Sequence, residues 1–456
     1  MRSSVKKFAA GFLAAAAVMQ CAALSGCSQK APDRELTVLS DDGRTVAALA
    51  RSTFAQTLAD NEYRAYLDIV LSEAAGIIGD IRDCDVKEAE RFLLSEGYVI
   101  YTNLDCDIYA SLKKAYEQEE GGLSFGAAVT DLRGDLLAVY SGGARTEEYH
   151  NRAAAKEQPY SAFKPLCVYA PAIENGLASW SSVYEDSPYK KISGEDGNEQ
   201  DWPANATGTY TYRETTVYDA VKQSLNTVAV KCMQTVGVFN SMNFLKNKFG
   251  ISLESEKSRA AMYGEEEVIG NVALGYLYDG LSPVDMAGYY QVFANGGIYN
   301  EPRAVSVICD KDGGTVYERV RADSRVISET TAYIMNRLLQ GVISPDGTGS
   351  GAACGDIPVG GKTGTGDGGN WFVGFTPQYS CAVWHGTEIG KNRAAEIFSR
   401  AVSEFESGTE KSFPDCIGVK AAAYCTESGM LLSDGCRKID MGYYASDRMP
   451  SVCDKH

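Results

Sequence analysis

The chain has 456 residues, 45% of them hydrophobic, and a formal charge of −17 at pH 7. That supplies a core large enough for two or three units, and so acidic a surface repels nucleic acid and anionic lipid headgroups. No heptad array or fixed-period repeat occurs, which excludes a coiled coil or a solenoid, and His150, His385 and His456 are too scattered for a His-based metal site or a Ser/Asp/His order.

The first residues have the layout of an export signal: Arg2, Lys6 and Lys7, then an Ala-rich apolar run from Phe8 to Leu24. Leu24-Ser25-Gly26-Cys27 follows and resembles a bacterial lipobox, so a lipoprotein signal peptide is expected over 1–26, with lipidation of Cys27. An uncleaved membrane anchor is the alternative, the run being close to the ~20 residues a spanning helix needs. In either case the remainder is expected on the extracytoplasmic face of the membrane.

Residues 27–94 are expected to form a polar tether, Ser28 to Arg44, and then two or three short helices from Thr45 to Leu94, rich in Ala, Leu and Glu. From Tyr98 the pattern changes to period two. Phe125 to Thr130 and Leu136 to Tyr140 predict two strands about a Leu132-Arg133-Gly134-Asp135 turn. Residues 161–300 are helical in pattern, and short apolar runs at Ile357–Thr365, Trp371–Thr376 and Tyr379–Trp384 predict antiparallel strands. Strands at both ends with helices between make an α+β fold, an antiparallel sheet flanked by helices with a mostly helical insert. The main domain is expected over 95–400, with a helix end and Cys-containing tail over 401–456.

Three short motifs follow in order: Ser161-Ala162-Phe163-Lys164, Ser224-Leu225-Asn226 and Lys362-Thr363-Gly364-Thr365. If Ser161 opens a helix, Lys164 lies one turn on and returns its amine to the hydroxyl's side. A serine needs a neighbouring base to become nucleophilic, and a desolvated lysine near another cation, here Lys362, is neutral enough to serve. Ser224 and Asn226, two apart in a loop, point a hydroxyl and an amide into one cleft, where the first can pass a proton and the second can bind an amide oxygen. Lys362, Thr363 and Thr365 on a strand edge suit a terminal carboxylate, and Gly364 leaves room for a substrate backbone. Pro165 is tolerated in the first turn of the nucleophile's helix, which Pro171 should kink.

This ordered set resembles that of penicillin-binding proteins and class A β-lactamases. From about Tyr98 to Trp384 the chain is similar to the transpeptidase half of class A penicillin-binding proteins. It shares Asn151-Arg152-Ala153, Pro203-Ala204-Asn205, Ser282 to Ala287 leading to Asn295-Gly296-Gly297, Gly347-Thr348-Gly349 and Trp371 to Pro377. The resemblance implies acylation of Ser161 by stem peptides ending in D-Ala-D-Ala, release of D-Ala and transfer to an amine on a neighbouring strand, with β-lactams as mimics. It implies Lys164 as general base, Ser224 as proton shuttle, Asn226, Thr363 and Thr365 as substrate contacts, Lys362 as electrostatic support, and the N–H groups of Ser161 and Thr365 as the oxyanion hole. No cofactor is implied. A D,D-carboxypeptidase would use the same residues, and a penicillin sensor or non-catalytic scaffold is the reading from another class. A β-lactamase is disfavoured, because no glutamate motif for activating the deacylating water stands out.

The chain departs from this family pattern in three places. Tyr160 and Ala162 flank the nucleophile, where the family usually has Gly before it and Thr or Ser after it. The ~70 residues between Cys27 and the transpeptidase-like start are too few for the family's glycosyltransferase, so a separate glycosyltransferase is expected as partner. The tail cysteines Cys416, Cys425, Cys436 and Cys453 lack C-x-x-C spacing, so no metal is expected there, and disulfides and buried thiols both stay open.

Overall fold

The computed structural model describes residues 35–119, 124–143, 149–193, 197–386, 393–406 and 412–456. The expected leader, its apolar run and Cys27 lie outside the described residues. Among the described residues no helix is long and apolar enough to cross a membrane.

The central sheet is antiparallel and has five strands, in spatial order Gly360–Gly366, Gly369–Phe375, Tyr379–His385, Phe125–Asp131 and Leu136–Gly142. The two strands before the helical insert thus join the three after it, Ala128 standing opposite Ala382. Alternation of side chains across a strand explains why both faces are apolar. Phe372 meets Phe398 of the helix Ala394–Phe405, while Phe375, three residues on, meets Phe293 after the helix Pro283–Tyr290. The turn into Tyr379–His385 is closed by Thr376, whose hydroxyl accepts from the N–H groups of Gln378 and Tyr379.

A second sheet corrects the expected tether. Glu35–Leu39 and Thr45–Ala50 are strands of a mixed five-stranded sheet ordered Thr315–Glu318, Val305–Cys309, Val99–Thr102, Glu35–Leu39, Thr45–Ala50. Leu36 and Val38 are buried on alternate positions, a period-two pattern too short to stand out between charged flanks. The Asp42-Gly43 turn, with Gly43 at φ +82°, joins the two strands as a hairpin. Thr45–Ala50 is thus a strand where the short helices were expected to begin, and three helices follow it: Phe54–Asp60, the long Arg64–Arg82 and Val86–Glu96. Arg64–Arg82 binds the two sheets together. Tyr66 donates to the Leu136 carbonyl at 2.8 Å, and the buried Glu73 carboxylate accepts from Ala304 N–H at 2.8 Å. Burial pushes the Glu73 carboxyl up to about 7.

The insert is helical as expected, with two small ribbons, Val183–Glu185 with Glu214–Thr216 and Lys190–Ser193 with Glu199–Trp202. The tail folds into a hairpin of Val419–Cys425 and Ile439–Ala445.

Candidate active site

Ser161, the expected nucleophile, does not open a regular helix. Tyr160–Phe163 is a tight turn, and past Lys164 the chain widens, Ala170 N–H reaching back five residues to the Pro165 carbonyl. Two prolines account for this, because neither Pro165 nor Pro171 can donate. The Cys167 carbonyl, which Pro171 cannot satisfy, accepts instead from the Ser241 hydroxyl at 2.6 Å. Cys167 itself is buried, with its thiol on the Val272 carbonyl.

Tyr160 carries the cost of the departure before the nucleophile. Its φ is +47°, the left-handed region in which glycine is favoured and a bulky residue is strained. The surroundings hold it there: its N–H donates to the Gly275 carbonyl at 3.1 Å, its hydroxyl accepts from Gly368 N–H at 3.0 Å, and its ring meets Tyr276 edge-on. Gly275 and Gly366 make the space, since a Cβ on either would lie 2.1–2.2 Å from Tyr160.

The three motifs converge around Ser224. It lies at φ +58° between the helices Val217–Lys222 and Asn226–Val236, so Ser224 and Leu225 form the expected loop while Asn226 opens the second helix. Lys362, buried on the edge strand Gly360–Gly366, donates to Ser224 Oγ at 2.8 Å. Lys164, also fully buried, donates to the Ser224 carbonyl at 2.9 Å and to Asn226 Oδ1 at 2.7 Å. Two lysines thus grip one serine from opposite ends. Among the described residues no hydrogen bond joins Lys164 to the half-buried Ser161 hydroxyl, the link expected from the spacing. Burial, with the Lys362 cation adding to it, holds the Lys164 ammonium well below its ordinary pKa of 10.5, and burial pushes Lys362 down to about 7.

The edge strand packs directly on the nucleophile turn. A Cβ on Gly364 would lie 2.5 Å from the Pro159 carbonyl and 3.2 Å from the Ala162 Cβ. The close approach that requires this glycine is therefore made by the chain's own backbone, and not only by a substrate. Thr363 Oγ1 is 3.2 Å from Thr348 Oγ1, and Thr365 is exposed beyond it on the strand.

Residues that the motif reading did not assign hold Asn226 in place. The Asn205 side chain accepts from Asn226 N–H at 2.9 Å, and the Ala204 carbonyl accepts from the Asn226 amide at 2.7 Å. Asn205 is fixed in turn by Asp186, buried, whose carboxylate accepts from Asn205 (2.7 Å), Thr227 Oγ1 (2.7 Å) and Thr211 N–H (2.9 Å). Burial works to raise the Asp186 carboxyl, but these donors hold it below its ordinary value. Asp186→Ala removes the main partner of the buried Thr227 hydroxyl and one of the two acceptors of the Asn205 amide, and each buried donor left unpaired costs about 1–3 kcal/mol. The variant should therefore lose roughly 2–4 kcal/mol of stability in chemical denaturation; unchanged stability would deny Asp186 this role.

A family model described as the penicillin binding protein transpeptidase domain matches residues 126–402. The chain is 33% identical over 341 residues to penicillin-binding protein 1A of Clostridium acetobutylicum, covering 68% of this chain and 41% of that protein. It is 32% identical over 343 residues to penicillin-binding protein 1F of Bacillus subtilis, covering 71% and 43%. The chain thus spans about two fifths of the length of these curated relatives. In fold it is similar to the D,D-transpeptidase domain of a peptidoglycan glycosyltransferase from Eggerthella lenta (TM-score 0.62, 19% identity, 82% of this chain and 98% of that one). It is likewise similar to penicillin-binding protein 1A from Haemophilus influenzae (TM-score 0.68, 17% identity, 90% and 78%).

Proposed function

Since the chain belongs to the transpeptidase family of penicillin-binding proteins, we propose that it cross-links peptidoglycan stem peptides through an acyl-enzyme on Ser161 and that β-lactams inhibit it. The observation that carries this reading is the pair of buried lysines on Ser224, one of them holding its proton weakly. Lys164 takes the Ser161 proton as Oγ attacks the carbonyl of the penultimate D-Ala. The C–N bond then breaks, and Ser224 passes a proton to the departing D-Ala amine. An acceptor amine on a neighbouring stem attacks the ester, and the proton it sheds returns to Ser161 by the same route. Lys362, Thr363 and Thr365 hold the donor's terminal carboxylate, Asn226 its amide, and the N–H groups of Ser161 and Thr365 the oxyanion. The leader and the Leu24–Cys27 tetrad support anchorage at the extracytoplasmic face, where glycan strands made by a glycosyltransferase activity supply the stems.

The test is incubation of the full chain with a penicillin and, separately, with nascent glycan carrying pentapeptide stems, read by intact mass and by muropeptide analysis. A penicillin adduct together with stem dimers supports the proposal. An adduct with free D-Ala and no dimers would replace cross-linking by carboxypeptidation, and no adduct in folded protein would overturn the reading.

The acylation rate should also report the lysine pair. With Lys164 losing its proton well below pH 10.5, the rate of penicillin acylation is expected to finish its rise with pH well before 10.5. Lys362→Ala removes the neighbouring cation that favours the neutral amine, so this limb should move to higher pH. A limb that stays in place, whatever the height of the profile, would separate the two lysines electrostatically.

A further inference from the structure

The tail hairpin gathers three cysteines that the transpeptidase reading leaves unused. Cys425 ends the strand Val419–Cys425, Cys436 lies in the loop after it, and Cys453 is three residues from the C-terminal His456. All three are buried, their sulfurs lie within 4.8 Å of one another, and none is in a disulfide. His456 and Glu427 stand beside them, each with a ligand atom within 4.8 Å of the Cys425 sulfur, and His456 Nε2 is 3.5 Å from Glu427 Oε2.

We propose that Cys425, Cys436, Cys453 and His456 form a structural site for a tetrahedral soft dication, zinc in the first place. A zinc–sulfur bond of about 2.3 Å places tetrahedral sulfurs about 3.8 Å apart, so the three need to close by no more than about 1 Å. Three thiolates with one imidazole are a common structural donor set for zinc, and closing all four positions leaves none for catalysis.

The backbone around the cluster is built to present these sulfurs. Cys425 N–H donates to the Met430 carbonyl and Gly429 N–H to the Cys425 carbonyl, both at 2.8 Å, which folds 425–430 into a tight loop. Gly429 turns it at φ +72°, where a Cβ would meet the Ser181 carbonyl at 2.2 Å. The chain end is laid alongside, Leu431 N–H donating to Ser451 and Cys453 N–H to Leu431. Hydroxyls support the sulfurs: Ser428 Oγ donates to Cys453 Sγ at 3.2 Å, and Ser433 Oγ lies 3.4 Å from Cys436 Sγ. Such outer contacts orient ligands and offset thiolate charge.

A second observation concerns what else holds this end of the tail together. The buried cluster there consists of the three cysteines, with Met430 packed against it. Tyr424 and Tyr444 tie the hairpin to the main core, but the loop that carries the cysteines adds only Met430 to its own cluster and calls for a staple. A disulfide would use two of the three sulfurs and leave the third buried among them, whereas a metal ion uses all three. The signal in the sequence is Cys453-Asp454-Lys455-His456, a C-x-x-H pair missed by a search for C-x-x-C alone; the remaining spacings are long because the hairpin intervenes.

The full chain, reduced and freed of metal, would be titrated with Zn2+ and with Co2+, and bound metal counted by mass spectrometry. One equivalent of zinc, and a cobalt spectrum with thiolate charge-transfer and tetrahedral d–d bands, are expected on the unaltered protein. Cys425→Ser, Cys436→Ser and Cys453→Ser should each lose most of the bound metal, while Cys416→Ser, outside the cluster, keeps it. His456→Ala should weaken zinc binding at least ~10-fold and change the cobalt bands. Labelling of Ser161 by penicillin checks that each variant is folded. Absence of zinc from the reduced wild type in excess metal would overturn the site. So would a 2 Da mass loss mapped to two of these three cysteines in protein purified with zinc present. Unchanged cobalt bands in His456→Ala would overturn its place as fourth ligand.

Discussion

Ser161→Ala is expected to abolish every covalent adduct with penicillin while leaving the fold in place. The Ser161 side chain is half-buried, and among the described residues no hydrogen bond depends on its hydroxyl. Removing one oxygen there should change stability by no more than about 0.5 kcal/mol. The turn that presents it is fixed by other groups: the Tyr160 contacts, the Tyr290 hydroxyl donating to the Ala162 carbonyl, and Trp371 Nε1 on the Gln158 carbonyl at 2.7 Å. Loss of labelling in a variant with an unchanged melting curve would therefore be chemical. An adduct that persists on Ser161→Ala would move the nucleophile elsewhere and sink the mechanism.

Lys164→Met should slow acylation about 10³-fold, or roughly 4 kcal/mol of barrier, the middle of the range for a lost general base. Methionine keeps the length of the side chain and removes the amine, so the comparison isolates proton transfer from packing. The stability change should run the other way. Between the depressed pKa of folded Lys164 and 10.5 the unfolded chain binds the extra proton, so this lysine costs stability at neutral pH and the cost fades as pH rises towards 10.5. Its replacement should then leave the melting temperature level or higher at pH 7, tempered by the partners left at Ser224 O and Asn226 Oδ1. Slower acylation with equal or greater stability is the signature of a catalytic group. Slower acylation with a collapsed melting temperature would assign Lys164 to structure alone.

The parts of this site that were legible in the sequence are those whose chemistry fixes both residue type and spacing. Ser224 and Leu225 fall in a loop that ends as Asn226 opens a helix, and Lys362-Thr363-Gly364-Thr365 lies on an edge strand, because these residue types at these spacings are recognisable in short windows. The supports of those groups were not legible. Asp186 and Asn205 act on Asn226 through contacts between segments apart in the chain; Pro203-Ala204-Asn205 stands out as a family landmark but without a role, and no local pattern marks Asp186. Tyr160 was visible as a departure from the family, but its left-handed backbone, the Gly275 that admits that backbone and the Gly366 that admits its ring exist only in three dimensions. Residues 35–50 were misread for a different reason: their apolar alternation covers only a few positions and is enclosed by Asp and Arg, so charge outweighed period. The tail cysteines failed on spacing, since a hairpin brings together sulfurs that the linear order keeps apart.

The position of Glu35–Leu39 bears on how the protein can be cut. It lies between Thr45–Ala50 and, in parallel, Val99–Thr102. A fragment begun at Tyr98 would leave Val99–Thr102 with a bare hydrogen-bonding edge and uncover Ile100, which is fully buried in the intact chain. Bare apolar edges pair with other chains. It would also take away Tyr66 and Glu73, the groups on which Leu136 and Ala304 rest. The smallest piece that keeps both sheets whole thus begins ahead of Glu35, well upstream of residue 126, where the family model begins.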